Sequence, residues 1–136
     1  MTSNVKYLGG LRTNITHLRS GSSTITDAPV DNNGKGEAFS PTDLVATALA
    51  SCMITVMGIK ARDMGLDMDG TTATVNKTMA SGPRRISRVE VVLTFPPAAK
   101  HFGEADKKLL EKTALACPVA QSLSGDLEQV VEFIWP

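Results

Sequence analysis

The spacing of apolar and β-branched residues divides this chain into strand-like and helix-like stretches. From Val5 to about Thr26, β-branched residues are mixed with Gly9, Gly10 and the turn signal Arg19-Ser20-Gly21-Ser22. The pattern predicts a strand, a reversal and a second strand, an N-terminal hairpin. Asp31 to Gly36 is a polar, turn-forming cluster and predicts an exposed loop. A helix start follows: Ser40 is a capping residue, Pro41 suits the first helical position, and Asp43 stands where a capping box needs its acid. From Leu44 to Ile59 no residue is charged, too much apolar surface for a helix with one face in water. This helix is expected to be central and buried. Thr47, Ser51 and Thr55 form a small-residue stripe on which a neighbouring helix can cross closely, and Val45, Leu49, Cys52, Val56 and Ile59 form an apolar stripe. A chain this small has few other elements to cover such a helix, so a second copy is expected to do so and the protein to be a homodimer. Lys60, Arg62 and Gly65 end the helix.

Two further strands are predicted over Asp69 to Met79 and Ile86 to Phe95, joined through Ser81-Gly82-Pro83. Pro96-Pro97 closes that hairpin, and Glu104 to Ala116 has helical spacing through Leu109, Leu110, Thr113 and Ala114. Cys117-Pro118 interrupts this helix and starts a short third one ending near Gly125, after which Gln129 to Trp135 reads as a final strand. The order is that of an α+β protein.

Composition narrows the function. At 136 residues the chain fits a single domain, 1–136. Lysine plus arginine equals aspartate plus glutamate, 14 each, so no bulk charge draws it to nucleic acid or to an anionic membrane. The start, MTSNVKYLGG, lacks the pattern of a secretory signal, and no apolar run is expected to reach the roughly 18 residues of a spanning helix, so a cytoplasmic address is expected. Asp31-Asn-Asn-Gly-Lys-Gly fails as a calcium loop because Lys35 stands where an oxygen ligand belongs, and Gly34-Lys35-Gly36 lacks the spacing of a phosphate loop. His17 and His101 have no metal-ligand spacing, and no serine elbow occurs.

What remains is thiol chemistry. The chain has two cysteines, which in a reducing compartment are catalytic, redox-active or simply buried. A thiolate is the reactive form, so each sulfur needs something that lowers its pKa. Cys117, ahead of Pro118 at a helix start, has the positive end of that helix beside it. Cys52 lies well inside an apolar helix, which disfavours the charged form unless a cation from elsewhere points at it. Arg12, Arg19, Arg84, Arg85 and Arg88 are the candidates, and arginine suits the task because it stays charged and its planar fork can hold both a sulfur and a peroxide oxygen. Cysteine is also a common core residue, so packing alone is the competing reading for both.

The segment Phe39-Ser-Pro-Thr-Asp-Leu-Val-Ala-Thr-Ala-Leu-Ala-Ser-Cys52 resembles the helix of the OsmC/Ohr family, and Ala116-Cys117-Pro118-Val119 resembles that family's second-cysteine motif. The resemblance covers nearly the whole chain. It implies an intertwined α+β homodimer with two β-rich halves around long central helices. It also implies that Cys52 attacks the O–O bond of an organic hydroperoxide or hydrogen peroxide and that Cys117 resolves the sulfenic acid as a disulfide. An external dithiol of the lipoyl type would reopen that disulfide, and no metal or flavin is implied. The family's activating arginine matches best at Arg12, with Arg19 in reserve. The family's hydroperoxidases carry a glutamate after the helix-starting proline, where this chain has Thr42. Glu37, on the preceding loop, is the candidate to take its place, against a plain solvated charge. Thr42 also keeps open a non-catalytic, redox-sensing or small-molecule-binding protein of the same fold.

Overall fold

The backbone between Ser3 and Asp27 reverses twice. A computed structural model, which describes residues 1–136, places strands β1 (Ser3–Gly9), β2 (Arg12–His17) and β3 (Ser23–Asp27) in one antiparallel sheet of order β1-β2-β3. The expected N-terminal hairpin is therefore two hairpins. The missed turn is Gly10-Leu11, a two-residue connection with φ of 61° and 62°, the left-handed pair that suits the twist of antiparallel strands. Glycine takes this conformation freely, whereas Leu11 does so at a steric cost. Its N–H donates to Tyr7 Oη at 3.3 Å and its carbonyl accepts from Ala28 N at 3.1 Å.

Helix α1 (Pro41–Asp63) begins where the sequence marks it. Asp43 N donates to Ser40 Oγ and Ser40 N donates to Asp43 Oδ2, both at 3.0 Å, so two backbone donors that a helix start leaves unpaired are satisfied reciprocally. Past Asp63, Gly65 at φ 71° ends it. With 23 residues and an 18-residue window of mean hydropathy 1.8, α1 does reach the length and apolar character of a membrane-crossing helix, contrary to the sequence expectation. The core helix of a globular fold meets the same test, and Leu49, Met53 and Met57 are fully buried among other side chains of the protein.

The buried face of α1 consists of Ala46, Leu49, Ala50, Met53, Met57 and Ala61. It is not the expected stripe, for Val45 and Ile59 are 40% and 51% exposed and Cys52 is half-buried. Nor does the Thr47, Ser51 and Thr55 side receive a helix within the chain: with Ala50, Ile54, Ala73 and Val75 it lines a surface cleft of about 340 Å³.

Strands β4 (Thr72–Ala80), β5 (Arg85–Thr94) and β6 (Glu128–Ile134) form a second sheet of order β4-β5-β6. Val89, Val91 and Leu93, alternate residues of β5, are buried against α1, and the same core includes Leu110 and Ala114 of α2 (Glu104–Leu115). Each fully buried aliphatic side chain contributes about 1.5–3 kcal/mol through loss of hydrated surface. β6 pairs with β5 in parallel, which the sequence reading left open. The crossover holds α2 and the short helix α3 (Pro118–Ser122), because parallel neighbours cannot be joined by a tight turn. Near the chain end Trp135 stacks on Phe95, ring centroids 3.6 Å apart, and donates from Nε1 to Glu111 Oε1 at 2.8 Å. The chain resolves into two compact units, Met1–Val45 and Ala46–Pro136.

Candidate active site

Two groups of reactive or charged side chains stand out, one in each unit. In the second unit, Cys52 on α1 and Cys117 at the start of α3 lie near enough for the Cys52 thiol to raise the Cys117 pKa. Both are free thiols. Their burial differs: Cys117 is 1% exposed, whereas Cys52 is half-buried. Cys117 caps α3, its Sγ accepting from Ala120 N at 3.4 Å. The helix start thus gives the local help that the sequence suggests, but burial outweighs it. The Cys117 pKa is raised above its ordinary value chiefly by desolvation, against the pull of the Ala120 N–H, and the neighbouring Cys52 sulfur raises it further. Cys117 therefore keeps its proton.

In the first unit Arg12 sits between two carboxylates. The β2–β3 register sets Arg12 directly across from Asp27, so the two side chains share a sheet face. Arg12 Nε donates to Asp27 Oδ1 at 2.7 Å and Nη2 donates to Asp27 Oδ2 at 2.9 Å, a two-pronged pairing. Nη2 also donates to Glu37 Oε2 at 2.9 Å. Asp27 is 1% exposed, Arg12 28% and Glu37 63%. Glu37 N donates to Asp27 Oδ2 at 3.0 Å, tying the loop to the same carboxylate. Asp27 is held below the ordinary carboxylate value, first by the hydrogen bond from Arg12, and the Arg12 pKa is raised for the same reason, so the guanidinium is permanently charged.

Of the residues singled out from sequence, the structure thus joins Cys52 with Cys117 and Arg12 with Glu37. Glu37 is a solvated loop charge that meets Arg12 through one oxygen. Of the other arginines, Arg85 donates to the carbonyls of Ser81 and Pro83 in its own turn, and Arg88 is engaged by Glu90 and Glu128. Arg19 lies exposed in the β2–β3 turn. Sequence reasoning missed Asp27. Its signal was the pairing itself: once the turns at Gly10-Leu11 and Arg19–Ser22 are placed, counting back along both strands sets residue 27 against residue 12. Thr42 has a different task from the family glutamate, its Oγ1 lying 3.1 Å from Ser40 Oγ within the helix cap.

The family model described as OsmC-like protein matches residues 34–131. The fold superposes with a TM-score of 0.92 on the crystal structure of a protein from Psychrobacter arcticus described as an osmotic stress induced and detoxification response protein; the two are 55% identical over 98% of this chain and 95% of that one. An organic hydroperoxide resistance protein OsmC from Legionella pneumophila matches with a TM-score of 0.75 at 16% identity, over 98% of this chain and 97% of that one. An organic hydroperoxide resistance protein from Elizabethkingia anophelis, crystallised with thiocyanate, gives the same TM-score and identity over 100% and 97%. No curated protein sequence matches. The order of strands and helices, the helix that carries Cys52 and the 55% identity agree: this α+β chain belongs to the OsmC-like family.

Proposed function

We propose that this protein is a cysteine-based peroxidase that reduces organic hydroperoxides or hydrogen peroxide in defence against oxidative stress. The observation that carries the proposal is the nearness of a half-exposed Cys52 to a buried, protonated Cys117 whose pKa it raises. In the first step the Cys52 thiolate attacks the distal peroxide oxygen and the O–O bond breaks. The sulfur becomes a sulfenic acid, and the other oxygen leaves as an alcohol or water once it has taken a proton. In the second step the Cys117 sulfur attacks the sulfenic sulfur, forming the disulfide with release of one water. An external dithiol, of the lipoyl type in similar proteins, then reduces the disulfide by exchange and is itself oxidised to a disulfide. Arg12 is the activating cation of this scheme, favouring the Cys52 thiolate and the departing oxygen. The scheme needs no metal or flavin. The names of the Legionella and Elizabethkingia relatives, organic hydroperoxide resistance proteins, support the substrate class. The apolar surface that Val45 and Ile59 leave exposed on α1 supports a homodimer in which a second copy covers it. The balanced charge supports a protein without nucleic-acid or anionic-membrane partners, and its proposed place is the cytoplasm.

The test is to mix the reduced protein with one equivalent of cumene hydroperoxide and follow peroxide and free thiols together. Two thiols per chain should vanish with the peroxide. Cys52→Ser should abolish the reaction, and Cys117→Ser should leave a sulfenic acid at position 52. Thiols that stay titratable after exposure would refute the proposal. One observation favours the second reading, a non-catalytic redox sensor or small-molecule-binding protein: Thr42 bonds within the helix cap and offers no carboxylate to Arg12. That reading expects the same assay to show no turnover with a dithiol present.

A further inference from the structure

Two carboxylates hold Arg12, and they hold it differently. Asp27 grips it with both oxygens, is 1% exposed, stands opposite Arg12 in the sheet register and accepts a third hydrogen bond from Glu37 N. Glu37 supplies one oxygen to one nitrogen, from a side chain 63% exposed. A solvated single contact between long side chains is worth little, because water screens the charges and the side chains lose freedom to make it. A buried, two-pronged pair fixes both the position and the plane of the guanidinium, since Nε and Nη2 are both committed.

We infer that Asp27, rather than Glu37, is the residue that positions Arg12 for the chemistry proposed above, taking the place that the family gives to the glutamate absent at Thr42. This rests on the peroxidase reading and on Arg12 as its activating cation. Asp27 is a positioning residue: its oxygens commit Nε and Nη2, so the plane of the guanidinium is fixed while Nη1 donates to neither carboxylate. A buried aspartate that served only the fold would influence melting and not the behaviour of the thiol.

The experiment compares Arg12→Gln, Asp27→Asn and Glu37→Gln in the full chain. It reads kcat/KM for cumene hydroperoxide and the pH midpoint at which Cys52 is alkylated by iodoacetamide in a Cys117→Ser background. Asp27→Asn is expected to lower kcat/KM at least about 30-fold and to raise the alkylation midpoint, approaching Arg12→Gln in both, while Glu37→Gln lowers kcat/KM about threefold. In an Arg12→Gln background Asp27→Asn should add nothing further. Equal or larger losses from Glu37→Gln overturn the inference, as does an Asp27→Asn protein that melts earlier with an unchanged midpoint. If Asp27→Asn does not fold, Asp27→Glu replaces it, keeping the charge but not the fork: a folded protein with lost activity supports the inference, and full activity overturns it. A wild-type protein without peroxidase activity, or an Arg12→Gln variant as active as the wild type, defeats the underlying reading and the inference with it. An impaired Arg12→Gln beside a fully active Asp27→Asn defeats the inference alone.

Discussion

The two sheets of this protein are built on opposite principles. In β4-β5-β6 the alternate residues Val89, Val91 and Leu93 are buried, and the strand is held by loss of apolar surface. In β1-β2-β3 every residue of β1 is exposed, and the best-buried side chains, Thr26 and Asp27, are polar. Thr26 bonds to Thr13 and Asp27 to Arg12, so cross-strand polar pairs supply the specificity there. The difference teaches where substitutions act. Changes in the second sheet should be read mainly as stability, and changes in the first mainly as the placement of charge.

The sharpest contrast comes from Leu93→Ala. Leu93 is fully buried, so its truncation removes transfer free energy and leaves a cavity, a loss of about 2–5 kcal/mol in urea unfolding. A loss under about 1 kcal/mol would show that the second sheet is not held by its core.

The two cysteines extend the contrast to reactivity. With its pKa raised by burial, Cys117 should react with iodoacetamide at least about tenfold more slowly in Cys52→Ser than Cys52 does in Cys117→Ser. Faster labelling of Cys117 would reverse their proposed roles.

Acid sharpens the account of the first sheet. Asp27 has its pKa lowered from the ordinary 3.8, chiefly by the Arg12 hydrogen bond. A depressed native pKa contributes stability that is present above the unfolded value and lost as pH falls through the native one. The Tm gap between wild type and Asp27→Asn should therefore be full at about pH 6 and shrink toward about pH 3. A gap that widens in acid would mean that the pair is not what Asn disrupts.

The smallest effect is expected for Val5→Ala. Val5 is 65% exposed on β1, so the change should stay within about 0.5 kcal/mol. A cost like that of Leu93→Ala would break the comparison and reveal β1 as covered in solution.

Much of this fold was legible in the sequence. The Ser40–Asp43 cap, the inward alternation of β5, the break at Cys117-Pro118 and the final strand all rest on contacts between residues close in sequence, or on a period that burial imposes. The buried face of α1 was not legible. From Leu44 to Ile59 nothing is charged, so no polar face says which side turns inward, and of the apolar stripe read from spacing only Leu49 is fully buried within the chain. The Gly10-Leu11 turn was hidden because leucine rarely takes a left-handed conformation.

By itself, then, the sequence determined the elements, their order and the two cysteines as the place to look for chemistry. Only the tertiary structure decided that Cys52 comes near enough to shift the Cys117 thiol, that Asp27 lies opposite Arg12, and that β6 runs parallel to β5. The reason is range. Caps, turns and alternation depend on neighbours a few residues away, whereas a partner far along the chain is selected by how whole elements pack, which no local pattern records.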